Sequence, residues 1–376
     1  MPPTRLPRFL ILLALAIFAG PSRLVSAPQS GRFLYVAAPG IRNLLQYGGH
    51  GVLVFDIDHG HRFVRRIPFG GLDPRGKPAN VKGICASAVT QRLYVSTMTT
   101  LTCIDLATDR VLWERSYDGG CDRLAISPDG KTLYVPSFEK EFWNILDAQT
   151  GDPITQVTPH SSAHNTIASL DGAEVYLAGL RSPVLTVVDA KTNRIARTVG
   201  PFTKAIRPFT INGSRSLVYV NVNELLGFEI GDLKTGKVLQ RIAVSGFSQG
   251  PVKRHGCPSH GIALTPDEKE LWLADSHNQR LHIFDNTAMP PRQIASIAVG
   301  DEPGWITFGI DGHYAYPSTG DVIDAPSRHI VTRLTDETGA SVQSEKLLEI
   351  DFRDGHATAV GDQFGIGRAE TRGANR

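Results

Sequence analysis

The sequence predicts an all-β protein, a seven-bladed β-propeller of four-stranded antiparallel blades whose ring is closed by pairing N- and C-terminal strands in one blade. Three observations predict it. A short strand centred on an aromatic residue recurs seven times, at a spacing of about 40–45 residues. An apolar strand closing on aspartate follows each copy. The chain also carries 37 Gly and 24 Pro, a turn-dense composition that suits short strands better than helices.

The unit is plainest in residues 121–147, CDRLAISPDGKTLYVPSFEKEFWNILD. A short apolar strand, a Ser-Pro-Asp-Gly turn, a second strand and a third strand ending on Asp147 follow one another, each rich in β-branched or aromatic residues. The second strand recurs as Leu34-Tyr35-Val36, Leu93-Tyr94-Val95, Leu133-Tyr134-Val135, Val175-Tyr176-Leu177, Val218-Tyr219-Val220, Leu271-Trp272-Leu273 and Ala315-Tyr316-Pro317. The third closes on Asp56, Asp105, Asp147, Asp189, Asp232, Asp285 and Asp324. A fourth strand completes most units, as at 111–115, 195–199 and 330–334.

One such sheet cannot bury both faces alone. Stacking several around an axis does so and leaves only short outer edges. Helical solenoids of similar period are excluded, because apolar positions alternate or cluster in short runs without the 3.6-residue spacing of a helix. The first unit, 33–69, lacks an innermost strand, and a surplus strand stands at 347–352. Placing the surplus strand inside the first blade closes the ring; a tail forming an outer strand is the alternative.

The chain has 376 residues, 41% hydrophobic and 20% charged, with a formal net charge of +2. That is ample length for a full core, and the charge gives no field that would draw nucleic acid or an anionic membrane. Residues 1–27 read as an export signal: Arg5 and Arg8, an apolar run at 9–19, then Val25-Ser26-Ala27 as the small-residue cleavage pattern. The run is short for a membrane span. A periplasmic or secreted protein is expected, with a single propeller domain over 28–366 and a disordered tail over 367–376. Four cysteines in an exported chain invite bridges. However, Cys85 lies about four residues deeper on its strand than Cys121, about 13 Å of offset where a bridge spans about 4.4–6.8 Å. Cys121 and Cys257 belong to opposite sides of the ring, so free or buried thiols are expected.

Two stretches carry a family resemblance: Ile262-Ala263-Leu264-Thr265-Pro266-Asp267 with Leu271-Trp272-Leu273-Ala274-Asp275, and Ala125-Ile126-Ser127-Pro128-Asp129-Gly130 with Leu133-Tyr134-Val135. The repeat resembles the YVTN-type β-propeller repeat of many exported bacterial and archaeal proteins. The resemblance covers most of the mature chain and implies the fold. For activity it implies only a range, since related propellers bind proteins, cofactors or metals and some act as lactonases or lyases.

Function is expected where the repeat departs from itself. Five residues before each turn-opening position stand Lys82, Asp122, His164, Arg207, His260 and Gly304. The next column reads Gly83, Arg123, Asn165, Pro208, Gly261 and Trp305. These positions open the innermost strand of each blade and so ring one mouth of the central channel. Five titratable residues of six suit a ligand-facing rim better than a buried structural column, because unpaired buried charge is costly. A solvated rim with Asp122 paired to Lys82 or Arg123 is the plainer alternative. Long loops at 37–51, 70–81 and 245–259 belong to the same mouth, and loops of this length commonly carry function.

Lys82, Asp122, Arg123, Asn165, Arg207 and Trp305 are the candidate ligand-binding residues, with Arg207 suited to a carboxylate or phosphate and Trp305 and Tyr47 able to stack on a ring. His164 and His260, which titrate near neutrality, are the candidate catalytic pair. His164, His260, His255 and Cys257 are candidate ligands for copper or another divalent metal, although H-x-C-x-x-H matches no standard zinc spacing. The leading expectation is a monomeric binding module for a small polar or anionic ligand, or for a partner protein. The alternative is a metal-assisted lyase or lactonase/hydrolase built on His164 and His260, similar to propeller enzymes that act on the axis. A pure scaffold is the third.

Overall fold

The computed structural model describes residues 30–369. The export segment 1–27 and residues 370–376 of the expected tail lie outside the described residues. Between them the chain forms seven antiparallel sheets, six of four strands and one of five. Blades 2 to 7 span 81–116, 125–157, 163–199, 206–243, 262–298 and 306–333 in chain order. Blade 1 is built from both ends of the described chain. Leu347–Arg353 lies inside Gly31–Ala38, with Tyr35 opposite Leu348, which is the closure expected from the surplus strand.

The recurring residues have separate physical jobs. Tyr35, Tyr94, Tyr134, Tyr176, Tyr219, Trp272 and Tyr316 are all buried between blades. Most of their polar tips have partners, as Tyr94 Oη donates to the Ala148 carbonyl (2.9 Å) and Trp272 Nε1 to Glu270 (2.8 Å). Each closing aspartate accepts backbone N–H groups from the turn that follows, as Asp147 does from Gln149 and Thr150, both at 2.8 Å. Asp189 and Asp232 do the same for Thr192 and Thr235. Aspartate recurs because its short carboxylate stabilises that hairpin turn. All four cysteines are free thiols.

The C-terminal end departs from a plain four-stranded blade. His356–Val360 adds a fifth strand, pairing inside Leu347–Arg353. The chain then crosses the channel. Thr307 Oγ1 donates to the Asp362 carbonyl (2.7 Å), Thr210 Oγ1 to the Gly365 carbonyl (2.7 Å) and Leu264 N to the same oxygen (2.9 Å). Gly367, Arg368 and Ala369, part of the tail expected to be disordered, are tied to Ile211, Pro266 and Glu268 respectively. Phe364 and Ile366 join a core cluster with Ile167, Phe209, Ile211 and Trp305. The segment is a plug with partners in several blades, and it divides the channel into two recesses. The one on the turn side, about 380 Å³, is lined largely by apolar side chains and turn backbone.

Candidate functional site

The ladder registers place the sequence column on the structure. The residue facing each buried aromatic of the second strand is Cys85, Ala125, Ile167, Thr210, Ala263, Thr307 and Leu348 in blades 2 to 7 and 1. Three residues earlier stand Lys82, Asp122, His164, Arg207, His260 and Gly304, and the seventh member is Glu345. In three blades this position is also irregular. The pairing steps from Val81 to Gly83, from Ala163 to Asn165 and from Ile206 to Phe209, so Lys82, His164 and Arg207 are extra residues of a bulge. A bulge turns such a side chain out of the sheet's alternation, here toward the channel mouth.

Most of the ring is joined by charge-assisted bonds. Lys82 Nζ lies 3.4 Å from Asp122 Oδ1, and His164 Nδ1 lies 2.6 Å from Asp122 Oδ2. Arg123, buried below them, pairs through Nη2 with Glu345 Oε2 and lies flat on Trp305, its Cζ 4.0 Å from the ring centre. Lys346 Nζ donates to the same Glu345 oxygen (2.7 Å) and to the Gly40 carbonyl (2.9 Å). His255 Nδ1 meets Glu345 Oε1 at 2.9 Å. His255 also fills the gap left by the one glycine of the ring, because a Cβ on Gly304 would collide with its imidazole. The rings of His255 and His260 stack at 5.1 Å.

Burial sets the protonation states. Desolvation pushes His164 down to about 4, helped by Lys82 and Arg123 and opposed by Asp122, so the imidazole is neutral at pH 7. Desolvation likewise holds His260 well below the ordinary histidine range. Burial alone would raise Glu345 and Asp122, but Lys346 and Arg123 around the first, and His164 and Lys82 around the second, keep both ionised. The buried Lys346 ammonium is pushed down to about 7 by desolvation, against the pull of Glu345.

Above the ring lies a cavity of about 690 Å³. All three long loops line it, through Arg42, Arg75 and Arg254 among others, as their lengths led one to expect. Seven cationic side chains face it (Arg42, Arg75, Lys82, Arg123, Arg207, Arg254 and Lys346) with three carboxylates, Asp73, Glu139 and Glu345, while behind the lining Asp122 pairs with Lys82, and Asp301 and Glu302 with Arg254. Among the described residues Arg42 and Arg207 have no carboxylate partner. Arg42 is held by the Arg254 carbonyl (2.9 Å), and Arg207 by Asn223 Oδ1 (2.5 Å) and the Gly256 carbonyl (3.2 Å).

Lys82, Arg123, His164, Arg207 and His260 therefore do converge on one opening, with Asp122 fully buried beneath it. Asn165 and Trp305 do not reach the cavity. Asn165 is fully buried, with both polar side-chain atoms unpaired within the protein. Trp305 is the floor under Arg123, and its Nε1 donates to the Gln363 carbonyl of the plug. Cys257 is committed elsewhere, its Sγ donating to the Ser259 carbonyl at 2.9 Å. Tyr47 sits under Arg254, whose Cζ is 5.8 Å from its ring centre. Sequence reasoning missed Glu345, Lys346, Arg42 and Arg254. The first had a signal, since three residues before the partner of Tyr35 is the count that finds the other six.

No protein-family model and no curated protein matches the chain. Among solved structures it is similar to a chain of Kuenenia stuttgartiensis hydrazine synthase, with 15% identity over 68% of this chain and 95% of that one and a TM-score of 0.45. A likeness at that level bears on neither ligand nor activity.

Proposed function

We propose that this propeller is a binding module for a small anionic ligand, one bearing carboxylate or phosphate groups, held in the cavity at the loop-rich mouth. Arg207 and Arg42 carry the reading, since both face the recessed space and neither guanidinium has a counter-ion among the described residues. Such a recess with low-dielectric walls concentrates anions, and Arg offers a planar fork that fits carboxylate or phosphate. Lys82 supplies a point charge at the ring. The YVTN-type repeat affiliation and export to the periplasm or exterior belong to the same proposal, as does action as a monomer. An enzyme built on His164 and His260 has less support, because the His164 nitrogen not bonded to Asp122, Nε2, meets the Arg123 guanidinium at 3.5 Å.

The test is calorimetric titration of metal-stripped, desalted protein with inorganic phosphate, sulfate and a tricarboxylate. Saturable binding is expected for at least one, weakening as salt rises. Arg207→Met should weaken it by about 10-fold or more, the worth of a charge-assisted hydrogen bond. No saturable binding to any of them, or equal binding by Arg207→Met, rejects the reading.

A further inference from the structure

We infer that His255, His260 and Glu345 form a site for one transition-metal ion of the zinc or copper(II) class, opening onto the cavity. One ligand atom from each residue lies within 4.8 Å of the other two. The residues come from separate places: the long loop before blade 6, the strand opening of blade 6 and the closing strand of blade 1. The site therefore exists only when the ring is closed.

The tautomers carry the argument. His260 Nδ1 faces the Gly304 carbonyl at 2.9 Å, and His255 Nε2 faces the Glu302 carbonyl at 3.1 Å. A carbonyl only accepts, so each of those nitrogens bears the proton. His260 Nε2 is then a lone-pair donor, while His255 Nδ1 either carries a second proton toward Glu345 or offers its lone pair to an ion. His255 Nδ1 is directed at Glu345 Oε1, 2.9 Å away, which is itself an acceptor. Two such atoms at that distance share a cation, a proton on His255 or a metal ion, and the lone pair of His260 beside them favours the metal. Metal-bound histidines are oriented in this way, the outer N–H held by a backbone carbonyl and the inner nitrogen facing the ion.

Glu345 is prepared in the same sense. Its Oε2 is fixed by Arg123 and Lys346, leaving Oε1 for a ligand role. Two imidazoles and one carboxylate suit zinc or copper(II), whereas calcium and magnesium call for more oxygen ligands than the cluster offers. The set keeps two members of the sequence-derived group, His255 and His260. It replaces His164, bound to Asp122, and Cys257, bound to Ser259, with Glu345. The inference is independent of anion binding, which is assayed on metal-stripped protein.

The experiment uses the full chain without a polyhistidine tag, stripped of metal and titrated with Co²⁺ by visible absorption, then competed with Zn²⁺. One equivalent per chain is expected. His260→Gln and Glu345→Gln should each weaken binding by at least about 10-fold. Gly304→Ala removes no ligand, but its Cβ would displace the His255 ring, so the same loss is expected. His160→Gln, outside the cluster, should bind as the parent does. Circular dichroism establishes that each variant is folded. Sub-stoichiometric Co²⁺ and Zn²⁺ uptake by the parent overturns the inference and leaves His255 as an imidazolium paired to Glu345. Unchanged affinity in folded His260→Gln and Gly304→Ala overturns it as well.

Discussion

Arg123 of blade 3 lies 4.0 Å above the Trp305 ring of blade 7 while its guanidinium pairs with Glu345 of blade 1. One buried side chain thus ties blade 3 across the channel to blades 7 and 1, which also pack directly on each other. Arg123 is 2% exposed, so its charge is held entirely by protein groups.

Replacing Arg123 by Met should therefore destabilise the fold by about 3 kcal/mol, because it leaves the Glu345 carboxylate buried with Lys346 as its remaining side-chain cation. Arg123→Lys should recover only part of this, since an ammonium cannot both lie flat on the indole and reach Glu345 as a planar fork does. Urea denaturation of the three proteins measures the difference. A Met variant as stable as the parent would show that the pair contributes nothing to holding the ring.

The blades and most of the ring could be read from sequence because their causes are local. The aspartate that ends each third strand serves the turn two or three residues on, as Asp189 serves Thr192, so it recurs with every hairpin. The buried aromatic fixes where the innermost strand stands, and counting from it finds Lys82, Asp122, His164, Arg207, His260 and Gly304. What escaped has non-local causes. Glu345 obeys the same count, but its blade is assembled from residues more than 300 apart, as in the pairing of Tyr35 with Leu348. His255 takes the place of Gly304's missing side chain only through the path of a long loop. Asn165 and Trp305 were expected at the rim because their column, with Arg123, opens the innermost strand of each blade. Arg123 reaches the cavity by its length, whereas the shorter Asn165 stays in the sheet and Trp305 turns to the plug.

Asp351 provides a pH-dependent prediction away from the site. It faces Arg32 across the ladder and lies two residues beyond Glu349 on the same strand. Arg32 spends its guanidinium on Glu349 (2.8 Å) and Asp311 (3.1 Å), and Asp351 Oδ1 is left unpaired. Burial, followed by repulsion from Glu349, raises the Asp351 carboxyl from 3.8 to about 7. A raised acid favours the folded state fully below its unfolded value and loses that contribution as pH climbs through the folded one. Stability should therefore fall between about pH 4 and pH 7 by an amount this group shares. Asp351→Asn should be more stable than the parent at pH 8, by about 1 kcal/mol once solvent screening of a half-buried group is allowed for, and should gain little at pH 4. Parallel denaturation curves at the two pH values check it, and an equal effect at both would rule out titration as the cause.

The plug makes the last prediction, because it links the C-terminal segment to the floor of the cavity. Phe364 is 4% exposed, with its ring centre 5.7 Å from Trp305 and 6.4 Å from Phe209. Trp305 in turn carries Arg123, and Arg123 holds Glu345. Phe364→Ala should cost about 3–5 kcal/mol, the usual range for emptying a buried aromatic position. Because the emptied space lies directly under Trp305, the loss should spread upward, and affinity for the anionic probe should fall with stability although Phe364 is not part of the cavity lining. Ile366→Val, a smaller change farther along the same segment, should cost about 1 kcal/mol and leave affinity unchanged. Thermal melts and titrations on both variants separate the two effects. If Phe364→Ala loses stability while binding the probe as the parent does, the floor and the ring are mechanically independent.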